Sequence, residues 1–239
     1  MTRTPLIAAN WKMYPVPEGA LEADSAYHPR PGVETLVFPT FLDLRICIEA
    51  GLPTGAQCGH PEESGAHTGD VSMAMLKKIG CAAVLCGHSE RRKDHGEEDR
   101  FIAEQADAAG RFGLHPVVCI GETQTERQSR RHKNVVERQI KALPHHLMTI
   151  AYEPVWSIGT GVIPSPDQIQ EMHAFIRSLL PPARQKVTRI LYGGSLKPEN
   201  AESILALPDV DGGLVGGASL KPQSFAELMQ LAQEAPKKQ

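Results

Sequence analysis

Aromatic residues make up only 5% of this 239-residue chain, and no C-x-x-C pair occurs in it. Nor does any apolar run approach the roughly 20 residues that a membrane helix needs. The five cysteines, Cys47, Cys58, Cys81, Cys86 and Cys119, are odd in number and scattered. That pattern argues against a disulfide scaffold and fits a reducing compartment. Cys81, Cys86 and Cys119 lie in or beside apolar runs, where a free thiol behaves as a small hydrophobe. Excess basic charge is missing too. The formal charge of −3 supplies no global attraction to nucleic acid or anionic membrane, so an anionic small ligand would need local groups to hold it. The opening "MTRTPLIAANWKMY" has too short an apolar core for a secretory signal. A cytoplasmic protein is expected, with neither nucleic acid nor membrane as a partner.

Present instead are short apolar or β-branched runs that alternate with helical patterns. Strands are expected at 6–10, 35–38, 54–57, 82–86, 115–120, 148–153, 188–192 and 212–216, with "TGAQ" at 54–57 the weakest of the eight. The runs are continuous rather than alternating, as in parallel strands buried on both faces. Between them, "SPDQIQ" places Ser165 as an N-cap, Pro166 at the first helical position and Gln168 to complete a capping box. Helices are also expected over Glu97–Phe112, over Thr123–Leu143 and over Lys221–Ala235, and two or three turns between Pro17 and Tyr27. Eight strand-then-helix units in this length predict a single-domain (β/α)8 barrel spanning 1–239. An open doubly wound sheet is the competitor, but no G-x-G-x-x-G follows the first strand.

Barrels of this kind carry their active sites at the C-terminal ends of the strands. Asn10 and Lys12 follow the first strand. "GHSERR", with His88 and Glu90, follows the fourth, and the sixth ends in Glu153. Gly193–Ser195 and Gly216–Ser219 follow the seventh and eighth. Glycine lets backbone N–H groups approach a ligand, and helix N-termini attract anions. Ser89 is expected to cap a short helix whose N-terminus keeps His88 neutral and able to donate. Glu153 stands beside Trp156 under a loop stiffened by Pro154 and ending in Gly159 and Gly161. Closure of that loop would strip water from the carboxylate and strengthen it as a base. No H-E-x-x-H or similar spacing calls for a metal, and nothing calls for a cofactor.

The segments "AANWKM", "CGHSERR", "CIGET", "AYEPVWSIGTG", "LYGGSLKPENA" and "DGGLVGGASLK" together resemble the triosephosphate isomerase family, in its order and over nearly the whole chain. The resemblance implies interconversion of dihydroxyacetone phosphate and glyceraldehyde 3-phosphate. It makes Glu153 the base, His88 the neutral electrophile, Lys12 the cation, Asn10 an amide donor and Glu90 a supporting acid. Gly159, Ser195, Gly216 and Gly217 become the phosphate cradle, Pro154–Thr160 a lid, and Tyr192 with Ser195 its latch. It implies a homodimer formed through the loop Cys58–Ser72. The chain departs from the family in its short, proline-rich segment Pro15–Gly32, in Tyr14, in "CGHPE" and in Ser157, where an alanine is usual. Two other readings share these residues: an isomerase of a larger phosphorylated sugar, and a barrel that binds a phosphorylated ligand without catalysis.

Overall fold

The computed structural model describes residues 3–145, 147–158, 162–236 and 238. Eight strands form one parallel sheet: β1 (Leu6–Asn10), β2 (Glu34–Phe38), β3 (Gly55–Ala56), β4 (Ala83–Cys86), β5 (His115–Ile120), β6 (Thr149–Tyr152), β7 (Ile190–Tyr192) and β8 (Gly212–Val215). Their order is β2-β1-β8-β7-β6-β5-β4-β3. A parallel bridge between Val37 and Thr54 brings the two ends of the sheet together, so the sheet is a nearly closed barrel with helices between its strands.

Alternation along each strand divides the core in two. Leu6, Ala8, Phe38, Ala83, Leu85, Val117, Cys119, Ala151, Leu191 and Leu214 pack together inside the barrel. Their neighbours Ile7, Ala9, Val37 and Val215 join one outer cluster, with Phe225 and Leu228 from the last helix. Val84, Val118, Ile150 and Ile190 join a second, with Ile102, Met172 and Ile176. Strands buried on both faces therefore read as unbroken apolar runs. The weak third strand has a steric reason for its glycine: a Cβ at Gly55 would strike the ring of Phe38.

Helix boundaries follow local chemistry. The helix Pro166–Leu179 opens with both halves of the expected capping box. The helix Asp99–Arg111 starts two residues later than expected, because Glu97 is taken by Arg91 at 2.7 Å. The single long helix expected over Thr123–Leu143 is two, Gln124–Gln128 and His132–Ala142. Between them, the Ser129 hydroxyl donates to the carbonyls of Thr125 and Glu126 (2.7 and 3.1 Å), and Arg130 adopts a left-handed φ of 57°. Side-chain competition for backbone carbonyls ends the first piece.

The turns of helix expected between Pro17 and Tyr27 do not form. The chain makes successive i to i+3 turns instead: Ala20 N to Pro17 O, Glu22 N to Gly19 O and Ser25 N to Glu22 O (3.0, 3.2 and 3.0 Å). Gly19 at φ +75° and the Ser25 hydroxyl on Ala20 O (2.8 Å) interrupt any longer ladder. Tyr27 does the packing that a helix face would do. It stacks on Phe225 at 4.6 Å, meets Trp11 edge-on at 5.3 Å and donates from its hydroxyl to Ser219 O at 2.6 Å.

Candidate active site

One cavity of about 1150 Å³ opens at the C-terminal ends of the strands. It is lined by Asn10, Lys12, His88, Glu90, Glu153, Ser195, Gly216 and Gly217, so eight of the nine residues expected to act on the substrate or hold its phosphate meet there. Gly159, the ninth, lies outside the described residues, as do Thr160 and Gly161.

Glu153 follows β6 directly and is only 2% exposed. Its Oε2 accepts from the Ser89 backbone N–H at 2.8 Å, and its Oε1 accepts from the Ser89 hydroxyl at 3.3 Å and faces His88 Nε2 at 3.1 Å. Two glycines make room for it. A Cβ at Gly121 would collide with the Glu153 carbonyl, and one at Gly193 would stand 2.8 Å from Glu153 Cγ. Behind it, Cys119 is completely buried. Burial first, and the neighbouring Glu153 carboxylate second, raise that thiol well above its ordinary range, so it stays protonated.

His88 is itself the N-cap of the short helix Ser89–His95, a role the sequence suggested for Ser89. Its Nδ1 accepts the Glu90 backbone N–H at 3.3 Å. A ring nitrogen that accepts carries no proton, so a neutral imidazole here holds its hydrogen on Nε2, facing the Glu153 carboxylate.

Lys12 has an unusual backbone, with φ at 51°. Two side chains hold it there. Asn10 Oδ1 accepts from Lys12 N at 3.0 Å, and Gln57 Nε2 donates to Lys12 O at 2.7 Å and to Phe38 O at 3.0 Å. Strained conformations of this kind persist only where the surroundings over-determine them. The ammonium then meets Glu90 Oε1 at 2.5 Å, while Glu90 Oε2 lies 3.7 Å from His88 Nδ1. A Cβ at Gly216 would sit 3.2 Å from Lys12 Cε, so that glycine also clears the lysine's path. Gly217–Leu220 forms a short 3-10 turn after β8, and Gly216, Gly217 and Ala218 line the cavity there.

The start of the loop after Glu153 is anchored through Glu122, which is fully buried. Its carboxylate accepts from Tyr152 Oη at 3.1 Å, Trp156 Nε1 at 2.8 Å and Arg127 Nη1 at 3.1 Å. Trp156 therefore turns its polar edge toward Glu122, with Arg127 over its ring at 5.1 Å. Gln57, Ser89 and Glu122 all act in or beside the site without having been singled out for it. "GAQ", "CGHSERR" and "CIGET" contain them, but which partner each one holds depends on distant strands.

Fold and site together define a (β/α)8-barrel protein whose strand ends bring a carboxylate–imidazole pair beside a cation and glycine-lined backbone. The family model described as triosephosphate isomerase matches residues 5–232. Among curated relatives, triosephosphate isomerase of Paracidovorax citrulli is 44% identical, with 97% of this chain and all of that protein covered. Triosephosphate isomerases of Xanthobacter flavus (46% identical; 93% and 95% covered) and Granulibacter bethesdensis (47%; 92% and 96%) are similarly alike. The chain belongs to the triosephosphate isomerase family.

Proposed function

We propose that this chain interconverts dihydroxyacetone phosphate and D-glyceraldehyde 3-phosphate in glycolysis and gluconeogenesis, as one catalytic domain spanning 1–239. The observation that carries the reading is the 3.1 Å approach of Glu153 Oε1 to His88 Nε2, in the cavity that Lys12 and Asn10 also line. Glu153 removes the proton from the carbon next to the carbonyl and returns it to the neighbouring carbon. His88 donates from Nε2 to the oxygens of the enediolate. Lys12 offsets the negative charge, Asn10 adds a donor, and Glu90 holds the lysine. Donors fixed in advance toward developing oxyanion charge are usually the largest catalytic contribution. Ser195, Gly216 and Gly217, with Gly159 of the lid, cradle the phosphate, and that remote binding energy is available to close the lid.

In the conformation described, the carboxylate is engaged by Ser89, so reaching a substrate carbon requires it to leave that donor. Substrate binding then exchanges one charge-assisted hydrogen bond for the reacting proton. Exclusion of water protects the enediolate from losing its phosphate.

No helix among the described residues is long and apolar enough to cross a membrane, and we place the enzyme in the cytoplasm. We also read it as a homodimer joined through the loop Cys58–Ser72. Exposed apolar side chains support this: Met13 (93%), Tyr14, Leu42 (92%) and Met75 all follow the first three strands. The purified chain should turn over glyceraldehyde 3-phosphate with a higher kcat/KM than a four-carbon sugar phosphate. No turnover of either would sink the reading. Light scattering across a dilution series, read alongside activity, tests the dimer.

A further inference from the structure

The loop between β3 and the helix Met73–Lys78 carries a second cluster of chemically active side chains, none of which lines the cavity. Its ends are pinned side by side. His60 N donates to Val71 O at 2.8 Å, and Met73 N donates to His60 O at 3.0 Å. Further along, Asp70 N donates to His67 O at 3.0 Å, which turns the aspartate back over the histidine. His60, His67 and Asp70 thereby each offer one ligand atom, all within 4.8 Å of one another. The two imidazole rings lie 4.0 Å apart at 30°, and Glu62 Oε2 stands 3.2 Å from His67 Nε2.

We infer that His60, His67 and Asp70 form a binding site for a divalent ion of the zinc class, with Glu62 in reach as a fourth ligand. Two imidazole nitrogens and carboxylate oxygens are the donor set of a borderline transition ion. Calcium and magnesium prefer all-oxygen shells, and copper(I) prefers sulfur. Charge balances as well, because the Asp70 and Glu62 carboxylates together match a dication. Bonds of about 2.0–2.2 Å in a tetrahedral shell set ligand atoms roughly 3.4 Å apart. His60, His67 and Asp70 therefore need to close by no more than about 1.4 Å, a distance that rotation of partly exposed side chains covers. Whichever nitrogen of His60 takes the ion, the 3.2 Å hydrogen bond from Glu62 N to Nδ1 is given up, which frees the Glu62 segment to bring its carboxylate inward. The bound ion cross-links positions ten residues apart in one loop. The site stands on this geometry alone and is independent of the catalytic assignment.

The test is a titration of the full-length, untagged protein with Co2+, which shows strong visible d–d bands when four-coordinate, followed by displacement with Zn2+. One Co2+ per chain is expected, with binding weakened at least about tenfold in His67→Gln and in Asp70→Asn and unchanged in His28→Gln. Hydrogen exchange of the unmodified chain should show Zn2+-dependent protection centred on the loop 58–72, extending at most to the surface that seats this loop in the proposed homodimer. Binding of equal strength in wild type and in the His60→Gln/His67→Gln double variant would overturn the assignment. So would Zn2+ protection that spares the loop 58–72, or no protection at all.

Discussion

Replacing Gly193 by alanine tests how the carboxylate of Glu153, the proposed base, is positioned. The added Cβ would stand 2.8 Å from Glu153 Cγ and 3.1 Å from Tyr152 O. Ordinary contact begins near 3.4 Å, so something must yield by about 0.6 Å or more. Tyr152 O is tied to Gly193 N at 2.7 Å and belongs to the barrel ladder, which leaves the Glu153 side chain as the softer neighbour. Its carboxylate then loses its alignment with Ser89 N and His88 Nε2. A 1 Å misplacement of a reacting group costs about 100-fold in rate, so kcat should fall roughly 10- to 100-fold. Overpacking should cost about 1–3 kcal/mol of stability, which leaves the variant folded. Steady-state kinetics with glyceraldehyde 3-phosphate, alongside urea unfolding, reads both quantities. KM should change less than kcat, because the added Cβ meets Glu153 and Tyr152 and not the side chain of Ser195 or the turn at Gly216–Gly217. A folded variant with kcat within about twofold of wild type would refute the argument, since a misplaced base cannot leave the rate intact.

Gln57→Leu removes both hydrogen bonds that hold the carbonyls of Lys12 and Phe38. It should cost about tenfold in kcat/KM and 1–3 kcal/mol in urea unfolding, and unchanged kinetics would show that Lys12 keeps its geometry unaided. His173 is fully buried, and burial pushes its pKa down to about 4 from 6.5. The unfolded chain therefore takes up a proton between about pH 6.5 and 4 that the native state refuses, and stability falls with falling pH over that window by about 3 kcal/mol. His173→Phe should flatten that part of the curve when urea midpoints are compared across pH, and an unaltered slope would assign the loss to other groups. Ser165→Ala deletes the acceptor of Gln168 N and should lower stability by about 1 kcal/mol, or about 2–4 °C in Tm by calorimetry. No shift would mean that the cap is not limiting.

Much of the barrel is legible in the chain because its strands are buried on both faces. Runs such as "HPVVCI" and "TIAY" have no polar side to hide, and the chemistry stands immediately after them. Asn10, His88 and Glu153 could thus be picked out by position alone. The segment 15–32 was harder. Its prolines announce irregularity, but that Tyr27 would fill the space by stacking on Phe225 depends on a helix two hundred residues away. The break at Ser129–Arg131 lacks glycine and proline, and it arises from a hydroxyl and a left-handed arginine that propensities do not flag. Gly193 reads as part of a phosphate turn, yet its absent side chain also makes space for Glu153. Gln57 carries no motif of its own. Its value comes from two carbonyls on other strand ends, which converge only when the sheet closes.

In the proposed mechanism the Glu153 carboxylate moves the proton. Glu153→Gln keeps the shape of the side chain and removes its basicity, so kcat measured with glyceraldehyde 3-phosphate reports on that step directly. A loss of at least about 100-fold is expected, within the range for a general base, with unfolding midpoints preserved. A folded glutamine variant that still isomerises at a rate close to wild type would contradict it.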